Sequence, residues 1–248
     1  SVAYAIARTL EEAGATVVYV VQNQEARERV GKLVGDKEIY ACDVESEEQV
    51  ERLRNELTAR GGRFHGLVHS IAFAGRDELS RPFYQTSRDG FKNAMDISVF
   101  SFVALTNAFL PILNPGASIM CLTYGSGATK VAPHYNVMGV AKAALESSTR
   151  YLAYDLGPQK MRVNAISAGP IRTLAAAGVG GFRDMYKHFA DMSPMRENVT
   201  IDDVGNMAVF LASDLSTKVT GEVIYIDSGF NIMGVQVGEK QKEEKSEG

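Results

Sequence analysis

Tyr135 and Lys142 are the residues of this chain whose types and spacing could do chemistry, in the stretch Tyr135-Asn-Val-Met-Gly-Val-Ala-Lys142. On one helix they stand two turns apart, so a phenol and an ammonium project from the same face about 10 Å apart along the axis. Such a pair can donate a hydrogen bond to a negative charge as it develops, the ammonium helping to lower the phenol's pKa below its ordinary value of about 10. The same residues also serve elsewhere as a core aromatic and a lysine lying along apolar surface with its charge in water. Which reading holds depends on the elements that place them.

Those elements alternate. Residues 1 to about 14 carry Val2, Ala5, Ile6 and Leu10 at a helical period, with Ser1 positioned to cap the first turn. Residues 17–21 are a short β-branched run of the kind buried on both faces of a parallel sheet, and a charged helix follows to about residue 34. A strand at 37–42 comes next, then a helix to about residue 60 whose Ser46-Glu-Glu-Gln49 start is a capping box. Further strands are expected at 66–71, 118–123, 162–166 and 222–227, with helices at about 90–113, 135–156 and 200–211. Strict alternation predicts an α/β fold: one Rossmann-like domain over residues 1–237, built on a doubly wound parallel sheet. Ligands of such a sheet bind outside the carboxyl ends of the strands, so Gln22, Asp43, Ser70, Tyr124, Ser167 and Asp227 share one rim. The loop at 72–86 is long enough to hold a substrate site. Gly178, Gly180 and Gly181 give the segment at about 171–192 the freedom of a lid.

Composition excludes several classes of function. With 45% apolar and 23% charged residues the chain is an ordinary globular one, and a formal charge of -4 with no basic stripe offers no surface for nucleic acid. No uninterrupted apolar run reaches the ~18 residues of a membrane span, and no charged-then-apolar leader opens the chain. Cys42 and Cys121 fall inside strands, and His65, His69, His134 and His188 share no metal-ligand spacing, so no metal is expected and a reducing, cytoplasmic setting fits. Residues 238–248 are charged without apolar anchors and read as a disordered tail.

A dinucleotide site in this fold needs a glycine-rich turn between the first strand and the first helix, where backbone N–H groups approach the pyrophosphate. This chain opens on Ser1, where that helix should begin. The expectation is therefore an upstream segment of about twenty residues carrying the strand and the turn; without it two buried sheet edges are left unpaired. Gln22 ends the strand that meets the adenine ribose, and no basic residue follows before Arg27, which leans toward NAD(H) rather than its 2'-phosphate analogue. Asp43 and Val44, ending the next strand, could hold the adenine ring by one polar and one apolar contact, although an acid there also serves as a helix cap.

Together Tyr135, Lys142, the 164–173 segment Asn-Ala-Ile-Ser-Ala-Gly-Pro-Ile-Arg-Thr and the loop from Tyr124 to Tyr135 resemble the short-chain dehydrogenase/reductase superfamily. Within it, the Tyr-x6-Lys spacing, Tyr124 near the usual serine position and His69-Ser-Ile-Ala-Phe-Ala74 are similar to the bacterial enoyl-[acyl-carrier-protein] reductases. The resemblance implies reduction of the trans-2 double bond of an enoyl thioester on acyl-carrier protein, with hydride from NADH, by a cytoplasmic homotetramer. It implies that Tyr135 lies over the substrate carbonyl, that Lys142 holds the nicotinamide ribose, and that Tyr124 contributes to catalysis and lines the acyl pocket. Ser70, Ile71, Ile171 and Thr173 would contact the cofactor and Ser1 would lie near the pyrophosphate, while Ala72, Phe73, Ala74, Met138 and Phe182 would meet the acyl chain. One departure stands out: ten residues separate Tyr124 from Tyr135, one more than the family loop, which leaves the placement of Tyr124 to the structure. The other readings are a ketoacyl or dienoyl reductase, against which the spacing argues, and a truncated, catalytically silent binding protein.

Overall fold

The computed structural model describes residues 1–172 and 182–234. Helix α1 (Val2–Glu12) is capped by Ser1, whose side chain accepts the Tyr4 N–H at 3.3 Å, and its Val2, Ile6 and Leu10 enter the core. Then come β1 (Tyr19–Val21), α2 (Gln24–Val34), β2 (Ile39–Ala41), α3 (Glu47–Ala59) and β3 (Phe64–His69). Ser46 caps α3, but Gln49 turns its side chain to the Asp43 N–H instead of back to Ser46, so only half of the expected capping box forms.

The segment read as a loop at 72–86 contains a short helix, α4 (Arg76–Ser80), and a 3-10 turn at Phe83–Gln85. The long helix expected at 90–113 is three pieces: α5 (Arg88–Met95), a π-turn at Asp96–Phe100 and α6 (Ser101–Phe109). By length and composition alone Arg88–Ile112 could cross a bilayer, although Lys92 and Asp96 interrupt any continuous apolar run. Its Ala94, Ile97, Phe102, Leu105 and Phe109 are instead buried in the core. The chain continues through β4 (Leu113–Thr123), α7 (Gly125–Thr129), α8 (Val137–Leu156), β5 (Arg162–Ala168), α9 (Phe182–Met192), α10 (Ile201–Ala212) and β6 (Val223–Ile226). Thr200 and Asp203 close a complete capping box on α10.

All ladders are parallel. One sheet runs β3-β4-β5-β6 and a second pairs β1 with β2; among the described residues no ladder joins β1 to β3. Period-two alternation sorts β4 between two cores. Ile119 and Cys121 pack with Phe102, Leu145 and Val163, while Met120 packs with Ile6, Ile166, Val204 and Leu211. Helices thus cover both faces of the larger sheet. The register sets His69 opposite Cys121 and Thr123 opposite Ser167, so the strands end level and their following residues form a common rim.

The back layer depends on a close approach. A Cβ on Gly205 of α10 would lie 2.3 Å from Thr9 Oγ1 and 2.9 Å from Thr9 Cβ on α1. In an open helix Gly→Ala gains about 1 kcal/mol; here Gly205→Ala is expected to cost about 1–3 kcal/mol through overpacking. Urea unfolding of Gly205→Ala against the parent measures the sign, and a gain in stability would contradict this packing.

Candidate active site

The site begins where β4 ends. Tyr124 follows Thr123 directly, and the next amide, Gly125 N–H, donates to Ser167 Oγ at 2.8 Å, tying the end of β4 to β5. Tyr135 does not lie on α8: the helix starts at Val137, and Tyr135 sits in the turn before it, correcting the two-turn helical spacing expected from sequence. Asn136 takes a left-handed φ of 43°, a conformation that Asn adopts more readily than most residues. Its side-chain amide donates to the carbonyls of Leu79 at 3.1 Å and Arg81 at 2.8 Å, at the end of α4. The strained turn that presents Tyr135 is therefore pinned to the opposite wall of the cleft.

The two tyrosines meet. Their ring centroids are 5.2 Å apart in an edge-to-face arrangement, a geometry favoured by the ring quadrupoles. The ten-residue spacer is taken up by α7, which folds down onto α8. A Cβ on Gly127 would come within 2.6 Å of Tyr135 Cδ1 and 2.8 Å of Tyr124 Cδ1, and one on Gly139 within 2.6 Å of the Gly127 carbonyl. Glycine at both positions is what lets the backbone pass between rings and helix. The extra residue therefore does not displace Tyr124 from its neighbour.

Lys142 lies on the buried face of α8, 6% exposed, and its Nζ donates to the Leu122 carbonyl at 2.7 Å. Burial pushes its pKa down to about 8, opposed by Cys121 and Glu146, so at neutral pH it is still an ammonium. Both phenols move the other way. Burial, followed by Asp227, pushes Tyr124 up to about 12, and burial, followed by Tyr124, pushes Tyr135 well above its ordinary value. The expected lowering of Tyr135 by Lys142 does not occur: burial and then Tyr124 set the direction of its shift, and the Lys142 ammonium, engaged with the Leu122 carbonyl, does not contribute to it. Both tyrosines stay protonated at neutral pH and act as donors.

His69 closes β3 with 1% exposure. Ser101 Oγ donates to the Ile97 carbonyl at 2.6 Å, so at 2.8 Å from His69 Nε2 it must accept, which leaves Nδ1 as a buried lone pair without a partner among the described residues. Burial and then Lys142 push the ring's pKa down to about 3. His69 is thus a buried, neutral ring at neutral pH.

Of the residues expected to meet an acyl chain, Ala72 and Phe73 are exposed, Ala74 is half-buried and Met138 is buried. Sequence reasoning missed Ser98, which lies in the π-turn. Its hydroxyl accepts the Phe73 N–H at 3.0 Å, lies 3.2 Å from the Phe73 carbonyl as donor, and reaches Met138 Sδ at 3.9 Å. Asn136 was missed as well. The available signals were a serine inside an apolar helix and an amide beside the tyrosine.

Of the residues expected to contact the cofactor, Ser70 is exposed and Ile71 and Ile171 are half-buried. At the far end Gln22 is exposed, and Val44 packs on the same core cluster as Ile71. Asp43 accepts the Glu45 N–H at 3.1 Å and so shapes its own turn without capping α3. Ser1 is an exposed N-cap. Thr173 lies outside the described residues, as do the side chain of Phe182, part of the 171–192 segment and the 238–248 tail. The donor set fits a dinucleotide: a buried ammonium with hydrogens to spare, a free serine hydroxyl and apolar walls at the nicotinamide end, and an uncharged amide at the ribose end. Among the described residues no cluster could hold a metal.

A profile of the enoyl-(acyl carrier protein) reductase family matches residues 1–231. The chain belongs to that family. Enoyl-[acyl-carrier-protein] reductase [NADH] FabI of Nostoc sp. is 46% identical over 241 residues, covering 95% of this chain and 93% of that protein. The Escherichia coli K12 protein of the same name is 45% identical over 236 residues, 94% of this chain and 90% of its own. Among solved structures, the Aquifex aeolicus VF5 enoyl-[acyl-carrier-protein] reductase (NADH) superposes with a TM-score of 0.90 at 45% identity, covering 95% of this chain and 93% of that one. The enzyme from Anaplasma phagocytophilum, in complex with NAD, does so with a TM-score of 0.90 at 38% identity over 97% and 91%.

The buried histidine of this reductase gives a pH prediction. Its folded pKa is lowered to about 3, so between the unfolded value of about 6.5 and that point the unfolded chain binds the extra proton and stability is lost as pH falls. Urea unfolding at pH 7 and pH 5 is expected to show the parent losing about 2 kcal/mol more than His69→Gln does. Equal losses would mean that His69 titrates normally.

Proposed function

We propose that this chain reduces the trans-2 double bond of enoyl thioesters carried by acyl-carrier protein with NADH, in fatty-acid synthesis. The observation that carries this reading is the meeting of Tyr124, Tyr135 and buried Lys142 on the strand rim of an enoyl-reductase-family chain. NADH supplies the hydride to the β carbon of the unsaturated thioester. As the β carbon is reduced, negative charge builds on the thioester oxygen as an enolate. Tyr135, protonated and held by the Asn136 turn, donates its hydrogen bond where that charge appears, the kind of interaction that contributes most in oxyanion-type sites. Tyr124, edge-on to Tyr135, fixes the donor ring and lines the pocket. Lys142 would hold the nicotinamide ribose by the hydrogens not spent on Leu122.

Ser70, Ile71, Ile171 and Thr173 complete the nicotinamide end of this reading, Gln22, Asp43 and Val44 the adenine end, and Ser1 the pyrophosphate. Ala72, Phe73, Ala74, Met138 and Phe182 receive the acyl chain, with residues 171–192 as its lid. Two contacts support a defined base for such a lid: Phe189 stacks on Phe230 at 3.7 Å, and the Arg172 guanidinium lies 4.4 Å from the Tyr186 ring centroid. Homotetramer assembly is part of the proposal. Phe100, Tyr151 and Tyr154, 55%, 72% and 82% exposed on the α5–α6 and α8 layer, are apolar surface for partner subunits to cover. A cytoplasmic setting fits the two buried free cysteines.

With full-length protein, NADH is expected to be consumed with crotonyl or longer enoyl thioesters and not with acetoacetyl thioesters, and the reverse preference would overturn the reading in favour of a ketoreductase. Tyr135→Phe is expected to lower kcat by about 10²–10³ with the fold retained, and Lys142→Ala to weaken NADH binding about tenfold or more. Stopped-flow NADH oxidation checks both; unchanged turnover in either variant would remove that residue from the mechanism.

A further inference from the structure

Helix α8 carries a second buried charged side chain that the mechanism above does not use. Glu146 stands one turn after Lys142 on the same face, and both residues are 6% exposed. The two reach β4 at consecutive residues and in opposite senses. Lys142 Nζ donates to the Leu122 carbonyl at 2.7 Å, and Thr123 Oγ1 donates to Glu146 Oε1 at 2.7 Å. The next residue along β4 is Tyr124. We propose that Glu146 is a positioning residue for the reaction: through Thr123 it locks α8 against the end of β4, and as the anion that faces Lys142 among the described residues it keeps that side chain charged for its cofactor contact. The inference deepens, and rests on, the reading of Lys142 as the ribose contact.

Apolar packing alone would not place a carboxylate here. Along the same face Ala141, Leu145, Thr149 and Ala153 are buried, and an acid among them costs desolvation energy that leucine or methionine would not. Its compensation is the Thr123 hydroxyl and the nearby cation. The groups that face Lys142 come from three elements: His69 on β3, Cys121 on β4 and Glu146 on α8. Burial pushes the Cys121 thiol up to about 11 and the His69 ring down to about 3, so near neutrality both are uncharged. Around Glu146 stand Arg150 and Lys142 on α8, Thr123 and Cys121 on β4 and Tyr225 on β6. Burial drives Glu146 up and Lys142 down, and each opposes the other's shift. Without the carboxylate, Lys142 would lose its proton closer to neutral pH, and a neutral amine binds a ribose hydroxyl less strongly.

The direct test is the titration of Lys142 itself in protein without cofactor, followed by the 13Cε resonance of labelled lysine and assigned with Lys142→Arg. Glu146→Gln removes the charge while its amide oxygen still accepts from Thr123. The parent midpoint is expected near 8 and that of Glu146→Gln about one unit lower. Glu146→Met, close in size, apolar and helix-favouring, carries the same expectation if the glutamine variant does not fold. An unmoved midpoint overturns the proposal whether or not the protein reduces enoyl thioesters, since the measurement needs neither substrate nor NADH. As a second arm, NADH affinity of Glu146→Gln is expected to fall about fivefold more, relative to the parent, at pH 8 than at pH 6. An equal loss at both values would leave Glu146 a packing role only and overturn its electrostatic one.

Discussion

An ammonium taken out of water needs acceptors and a counter-charge, and the site of this reductase is arranged around that requirement. Lys142 is buried on α8 with a β4 carbonyl as its hydrogen-bond partner, which fixes helix against strand to within one hydrogen bond. Once that register is set, the residues on either side of it follow. Thr123 meets Glu146, Tyr124 leaves the strand beside Tyr135, and α7 must fold into the space between, which only glycine at 127 and 139 permits. The lowered pKa of the lysine and the raised pKa values of the phenols have the same origin, removal of water from the charged form. A dry site strengthens each hydrogen bond made to developing charge.

The other wall is held by two polar side chains. Ser98 fixes the backbone of Phe73, and Asn136 gathers the carbonyls at the end of α4. Both sit at irregularities, a π-turn and a left-handed residue, where local geometry departs from the regular helix. Departures of this kind cluster at functional sites because surrounding structure has to hold them in place. Here the tyrosine turn, the acyl-side loop and the lysine helix form one connected frame.

Much of this is legible in the sequence. Alternating apolar runs and amphipathic stretches determine a parallel sheet, the sheet determines a rim, and Tyr135, Lys142 and Tyr124 fall on it, because period-two and period-3.6 patterns survive in any packed α/β chain. What is not legible depends on long-range contacts. The sequence places Tyr135 on the helix, since nothing local reveals that Asn136 will take a positive φ to reach α4. The π-turn is hidden because Asp96–Phe100 carries helix-compatible residues and is distorted by what Ser98 and Ser101 bond to, residues more than twenty positions away. The direction of Tyr135's pKa shift was missed for a similar reason, as burial is a property of the assembled site and not of the Tyr-Lys spacing.

The account's central claim is that this frame directs hydride to the β carbon of an enoyl thioester while Tyr135 receives charge at the carbonyl oxygen. Turnover of crotonyl thioester with NADH deuterated at the transferable C4 position, followed by mass spectrometry and NMR of the product, reads this directly. Deuterium at C3 of a saturated butyryl thioester is the predicted result. Deuterium on a carbon bearing a new hydroxyl group, or a product without label, would contradict it.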